Sequence, residues 1–288
     1  MNKEEIIVSA KKCGANAVGI LRAREFLELE EILKKRGEVS LVETDIKKRT
    51  NPFLMMNDAK SIIVCLFSYG VSDKGRISAY AQGLDYHIVI KKRLEGVSDK
   101  LSENGFKSMM FCDNGPMSDR LLASLCGLGF FGKNGMLINE KLGSYFFIAY
   151  ILTDCELAED KPKENTGCIG CNRCIEACPG GALSEAFGFD ENRCVSFLTQ
   201  KKGVLSQEQS EIIKKSGYIW GCDICQRVCP HNKVIEAQII EEFKTGLITD
   251  LKMDEGISNR EFAKKFSNRA FSWRGKSVLK RNIDLYNE

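Results

Sequence analysis

The sequence predicts an α/β (α+β) layer domain, then a compact cysteine-rich domain, then a short helical C-terminus. Three observations carry this expectation. Over the first 160 residues amphipathic stretches alternate with short apolar runs. Eight of the thirteen cysteines crowd between Cys168 and Cys229. From residue 236 onward the pattern turns helical and basic. The corresponding domains are 1–160, 161–235 and 236–288, and a chain of 288 residues has room for about two domains of ordinary size and a tail.

Taken in order, EEIIVSAKKCG reads as a helix ended by Gly14, and AVGIL as a strand. FLELEEILKKRG is a helix, and SIIVCLFSYG a buried strand closed by glycine. DYHIVIKKRLEGVSDKLSENG is a long amphipathic helix ending at Gly105. KSMMFC is a strand, SDRLLASLCGLG a helix and SYFFIAYILTD a last strand. Near the end, ISNREFAKKF opens with Ser258 and Glu261 spaced as a capping box, and SWRGKSVLKRNIDLYNE reads as one more helix.

Helices alternating with apolar strands make a layered fold, in which ligands gather beyond the carboxyl ends of strands. Asp113 sits at such a place, in the turn FCDNGPMSDR directly after KSMMFC. Asp-Asn-Gly-Pro also suits an Asx-turn or a helix cap. A carboxyl group in a partly apolar pocket there is one that burial can hold protonated for general-acid work.

Composition narrows the class. With 43% hydrophobic and 28% charged residues the chain is globular rather than disordered. MNKEEIIVSA is charged at once and has no apolar h-region, so no secretory leader is expected. The longest apolar runs, IIVCLF and YFFIAYIL, fall short of the ~20 residues of a membrane-spanning helix. Such a cysteine count in a reducing cytoplasm points to metal rather than to disulfides. Cys13, Cys65, Cys112, Cys126 and Cys155 lie in apolar or strand-like surroundings and read as small core residues. The net charge is +3, but residues 256–288 hold eight Lys/Arg against three Asp/Glu, so the rest of the chain is slightly acidic. A basic end hints at an anionic partner, though a solvated helix face is the more common reason for one.

The cysteine spacing is specific. CIGCNRCIEACPGGAL sets Cys168, Cys171, Cys174 and Cys178 before Pro179. This is C-x2-C-x2-C-x3-C-P, the run of bacterial ferredoxins, whose first three thiolates hold one cube while the fourth reaches another. GYIWGCDICQRVCPHN repeats the last three members as Cys222, Cys225 and Cys229, again before a proline. The missing first member is supplied by Cys194, the one unassigned cysteine between the runs. One cube then takes Cys168, Cys171, Cys174 and Cys229; the other takes Cys178, Cys194, Cys222 and Cys225. Eight ligands serve two [4Fe–4S] clusters and none is left over. Zinc also accepts thiolates from C-x2-C pairs, but the interlocked spacing and the two Cys-Pro endings favour iron–sulfur.

Two other motifs fail on context. GLGFFG fits G-x-G-x-x-G, yet it follows a helix where a dinucleotide site requires a strand. GFFGKNG lacks the Lys-Ser/Thr of a P-loop. His87, inside the long amphipathic helix, reads as structural, and the only other histidine is His231.

RTNPFLMMNDAKSIIVCLFSYG, GRISAYAQGLDYHIVIKKRL, the turn DNGP with DRLLASLCGLGFFGKNGMLINEKLGSYFFIAYILTD, both cysteine runs and CVSFLT together resemble the epoxyqueuosine reductase family. Those cobalamin-dependent iron–sulfur enzymes perform the last step of queuosine synthesis in tRNA, with chemistry shared with reductive dehalogenases. The resemblance spans almost the whole chain. It implies reduction of an epoxide on a modified tRNA base, with Asp113 as proton donor and cobalamin between the layer domain and the ferredoxin-like part. Arg49, Tyr80, Asn134 and Ser144 then fall around the cobalamin. The family turn often reads Asp-Ser-Ala-Pro, so Asp-Asn-Gly-Pro keeps the acid and changes its neighbours. The resemblance further implies base-off cobalamin, and the D-x-H-x-x-G signature of histidine-ligated cobalamin is indeed broken, with Ile90 where glycine should stand. An external low-potential electron donor, a monomer, a cytoplasmic location and no membrane complete the expectation.

Full-length relatives continue into helical repeats that help hold tRNA, whereas this tail resembles the first HEAT-like repeat alone. Two alternatives therefore stay open at this point: a corrinoid reductase of a small molecule, and a non-catalytic electron-transfer or corrinoid-activating protein.

Overall fold

The computed structural model describes every residue except 37–39, 71, 73, 114, 164–166, 186–187, 234, 236–238, 254–255 and 288. Asn114, one of the two residues that set this turn apart from the family's, lies outside the described residues. Four apolar segments become one sheet: β1 (Ala17–Arg22), β2 (Ser61–Ser68), β3 (Ser108–Cys112) and, after the short ladder of β4 (Phe130–Phe131) and β5 (Leu137–Ile138), β6 (Phe146–Thr153). All eight residues of β2 and all eight of β6 are buried, which is why both read as unbroken apolar runs.

The strand order is β1-β2-β6-β3, and each neighbouring pair is antiparallel. The strand-end rule applied to the sequence belongs to parallel sheets, so its premise does not hold here. Its conclusion survives through register. Ser68 pairs with Phe146 and Cys112 with Ala149, so the carboxyl ends of β2 and β3 share one edge with the amino end of β6.

Side chains alternate across the sheet. Ile63, Cys65 and Phe67 face one apolar cluster while Ile62, Val64 and Leu66 face another. The first cluster is covered by α1 (Lys3–Lys12) and α4 (Tyr86–Glu103) through Ile6, Ala10, Ile90, Leu94 and Val97. The second takes Leu29 of α2 (Leu27–Arg36) and Leu122 of α5 (Asp119–Leu125), with α3 (Ile46–Thr50) alongside α2. Asp85 caps α4 by accepting from the His87 amide, and Gly105 closes it at φ +80°.

The cysteine segment is built from short helices: α6 (Arg173–Glu176), α7 (Val195–Leu198), α8 (Gln207–Ser216) and α9 (Ile224–Arg227). It owns a small apolar centre of Val195, Leu198, Ile212, Ile213 and Tyr218. The tail forms α10 (Asn259–Phe266), with the capping box on Ser258 and Glu261 in place, and α11 (Lys276–Asn287). Phe262, Phe266, Phe271 and Leu279 join the same cluster as Ile6 and Leu94, so the tail is part of the layer's core. The scattered cysteines behave as core residues: Cys65, Cys126 and Cys155 are buried, and Cys13 and Cys112 pack half-buried against the first cluster. Among the described residues no helix is long and apolar enough to cross a membrane.

Candidate functional site

The shared sheet edge opens onto a cleft of about 2220 Å³ whose far wall is made by the cysteine loops. Small-molecule pockets span roughly 300–1,000 Å³, so this one has room for a macrocycle and part of a larger substrate. Arg49, Tyr80, Asp113, Asn134 and Ser144 all line it.

Their engagements differ. Tyr80 accepts from the Trp220 indole at 2.9 Å, which fixes its ring at the cleft. Asn134 receives the Met136 amide (3.2 Å) and donates to the Cys225 carbonyl (3.4 Å), so it ties the β4–β5 turn to the cysteine loop. Ser144 is 1% exposed; its hydroxyl donates to Gln226 (2.9 Å) and accepts from Asn232 (2.9 Å). That hydroxyl is committed to holding β6 against the cysteine loop. Asp223, likewise buried, accepts from Ser78 (2.5 Å) and the Ala79 amide (2.7 Å) and anchors the loop beneath Tyr80.

Asp113 occupies the left-handed region at φ +57°, a conformation aspartate tolerates better than most residues. Its carboxylate accepts from the Tyr86 hydroxyl and lies 3.4 Å from His87 Nε2, while His87 Nδ1 contacts Asp85 at 2.7 Å. The 3.4 Å contact is an ion-pair distance with poor hydrogen-bond geometry, and Nε2 has no partner at shorter range. Two expectations change here. His87 is a cleft residue facing Asp113, not merely a structural one. Asp113 is not held protonated by burial: burial does push its carboxyl up, but the neighbouring His87 and the Tyr86 hydroxyl outweigh it and leave it below the usual carboxylate range. The proton sits on His87 instead. Burial works against the imidazolium, yet Asp113 and Asp85 together raise it to about 9. Asp119, also in the cleft, is pushed up to about 6 by burial, against the pull of Arg120 and Arg49.

Periodicity hid His87 because it occupies the first turn of α4, where the helix dipole disfavours a cation, and Asp113, distant in sequence, joins Asp85 in reversing that. The one readable signal was the Asp85 cap beside it.

The eight cysteines fall in two groups. Cys168, Cys171, Cys174 and Cys229 surround one small hollow, bounded also by the Gly132–Asn134 turn. Cys178, Cys194, Cys222 and Cys225 all face the large cleft. The same partition appears in the thiols' electrostatics. Cys174 and Cys229 feel Cys168, while Cys222 and Cys225 feel Cys194 and Cys178. Burial pushes the Cys222 thiol up to about 12, so a thiolate there would need a cationic centre beside it. The two hollows share Gly132, Lys133 and Asn134 as a common wall. One set therefore faces the cleft with the other directly behind it.

Comparison with known proteins places these features. A family model described as a 4Fe-4S double cluster binding domain matches residues 167–232, and one described as Epoxyqueuosine reductase QueG, DUF1730 matches residues 49–114. The epoxyqueuosine reductase of Bacillus cereus is 35% identical, over 98% of this chain and 79% of that one. That of Cellulophaga algicola is 34% identical over 98% of this chain and 95% of its own length. A crystal structure of an epoxyqueuosine reductase with an epoxyqueuosine-modified tRNA-Tyr stem loop superposes with TM-score 0.88 at 34% identity, covering 99% of this chain and 80% of that one. A reductive dehalogenase structure, described in connection with B12-dependent dehalogenation, shares the fold at TM-score 0.50 and 17% identity over 98% of this chain and 36% of its own.

Proposed function

The chain belongs to the epoxyqueuosine reductase family, and from that premise we propose that it reduces the epoxide of epoxyqueuosine in tRNA to the alkene of queuosine, using two [4Fe–4S] clusters and a corrinoid. The observation that carries this reading is one cleft lined both by the Asp113–His87 pair and by Cys178, Cys194, Cys222 and Cys225. A pure electron carrier has no use for a proton-bearing pair at that place. The Cellulophaga relative, matched over nearly its whole length, supports the same activity in a body of about this extent.

In the reaction two C–O bonds break, a C=C bond forms, and the oxygen leaves as water after gaining two electrons and two protons. When bound, the clusters and the corrinoid supply the electrons one at a time from an external low-potential donor. The chain's residues handle the protons. Asp113 faces the departing oxygen and passes it the proton held on His87, whose ring Asp85 orients. The second proton follows the same route after His87 is recharged from solvent. Tyr86 fixes the Asp113 carboxylate by its hydroxyl. Tyr80, Arg49 and Asn134, which line the cleft, would hold the corrinoid there, while Ser144 holds the wall in place. Both nitrogens of His87 face carboxylates, and His231 lies at the other hollow, which supports a base-off corrinoid without a histidine ligand. The unit acts as a monomer in this reading.

The test is anaerobic protein with corrinoid, reductant and epoxyqueuosine-bearing tRNA, the nucleosides then resolved by mass spectrometry. Queuosine is expected, and Asp113→Asn should lose at least about 100-fold in turnover, the scale of general-acid catalysis, while keeping both clusters. Normal turnover by that variant would remove the proton-donor role.

A further inference from the structure

The chain has two tryptophans. Trp220 is fully buried, but Trp273 is 55% exposed and lines the cleft together with Gln200 and Ala270. It is not a loose surface ring. Its indole N–H donates to Gln200 Oε1 at 3.3 Å, and the Arg274 guanidinium lies 3.7 Å from the ring centroid. Arg274 Nε is itself buried without a hydrogen-bond partner. Other basic residues of the tail are committed elsewhere. Arg281 donates to the Leu198, Lys201 and Gly203 carbonyls, Arg269 to the Gln82 and Gly246 carbonyls, and Lys276 to the Ile257 carbonyl. Arg274 stays beside the indole.

A nucleoside can enter the cleft only by leaving its stack, which strips its neighbours of a stacking partner. Proteins that read single-stranded RNA replace that partner with aromatic side chains and guanidinium planes. We propose that Trp273, braced by Gln200 and Arg274, is the stacking platform for the unpaired base adjacent to the nucleoside being reduced. The Arg274 guanidinium adds charge toward the backbone of the same nucleotide. This assignment rests on the RNA-substrate reading above.

The experiment uses the full chain with its cofactors and a synthetic epoxyqueuosine-bearing anticodon stem-loop. Trp273→Ala should raise KM and Kd about 10-fold, within the range of one base stacked on one aromatic ring. Its kcat, iron content and melting temperature should be unchanged, and Trp273→Phe should recover most of the affinity. A stem-loop with an abasic site beside the modified nucleoside should weaken binding to the wild type by the same factor and cost Trp273→Ala nothing further. An unchanged KM in Trp273→Ala, or two losses that multiply independently, overturns the platform while leaving the substrate reading intact. A wild type that neither binds nor reduces the stem-loop overturns both.

Discussion

Asp113 and His87 hold one proton between them, and the surroundings decide which of the two carries it. Tyr86 and Asp85 both favour the charge-separated form, the first by donating to Asp113 and the second by facing the imidazole. Because the folded His87 titrates at about 9, above its ordinary 6.5, its stabilising contribution is complete below pH 6.5 and disappears as pH rises through 9. The wild-type melting temperature should therefore decline across that window, and His87→Gln should flatten the decline. The same variant should lower turnover and erase the alkaline limb of the pH–rate profile near 9. A limb that persists unchanged in His87→Gln would assign it to another group. Asp113 was legible because a lone acid at a strand end stands out in a sequence. His87 was not, since its charge depends on a carboxylate brought to it only by the fold.

At the scale of elements, α6 and α9 are equivalent turns, each wrapped by a C-x2-C and each followed after one turn by Cys-Pro. That repeat was readable from sequence because loop ligands lie within a few residues of one another. The exchange of Cys178 and Cys229 follows from the matched spacing, and Cys194 follows from the count. Strand direction was not readable: an apolar run has the same pattern whether its neighbour runs with it or against it. The work of the Ser144 hydroxyl was also hidden, because Gln226 and Asn232 reach it from the far side of the chain. Cys194 is the sharpest test of the element pairing, since it belongs to neither run. Cys194→Ala should reduce iron from about eight to about four per chain, leaving the hollow of Cys168, Cys171, Cys174 and Cys229 filled. Cys126→Ala, which alters a core thiol, should leave iron at the wild-type level. Loss of all iron from Cys194→Ala, or of none, would contradict the division into two sets.

For the whole molecule the question is what the basic tail is for. Its charge left an anionic partner open, but most of what it presents inward is structural. Phe262, Phe266, Phe271, Val278, Leu279 and Ile283 are all buried in the cluster that also holds Ile63 of β2 and Leu94 of α4. Without them the apolar side chains of the layer that they cover would face water. Arg281 adds a polar clamp by reaching three carbonyls at the end of α7 and just beyond it, and Asn282 donates to the Thr199 and Ile219 carbonyls. The tail thus joins the layer's core to the loop between Cys194 and Cys222, and through it to the cluster facing the cleft. A chain ending at residue 255 should consequently fail to fold, appearing as insoluble protein with little iron, rather than as a folded enzyme with weakened RNA binding. Sedimentation, a melting curve and an iron assay on that truncation decide the matter. A soluble, cooperatively melting fragment with two clusters would show that the tail is an accessory arm after all.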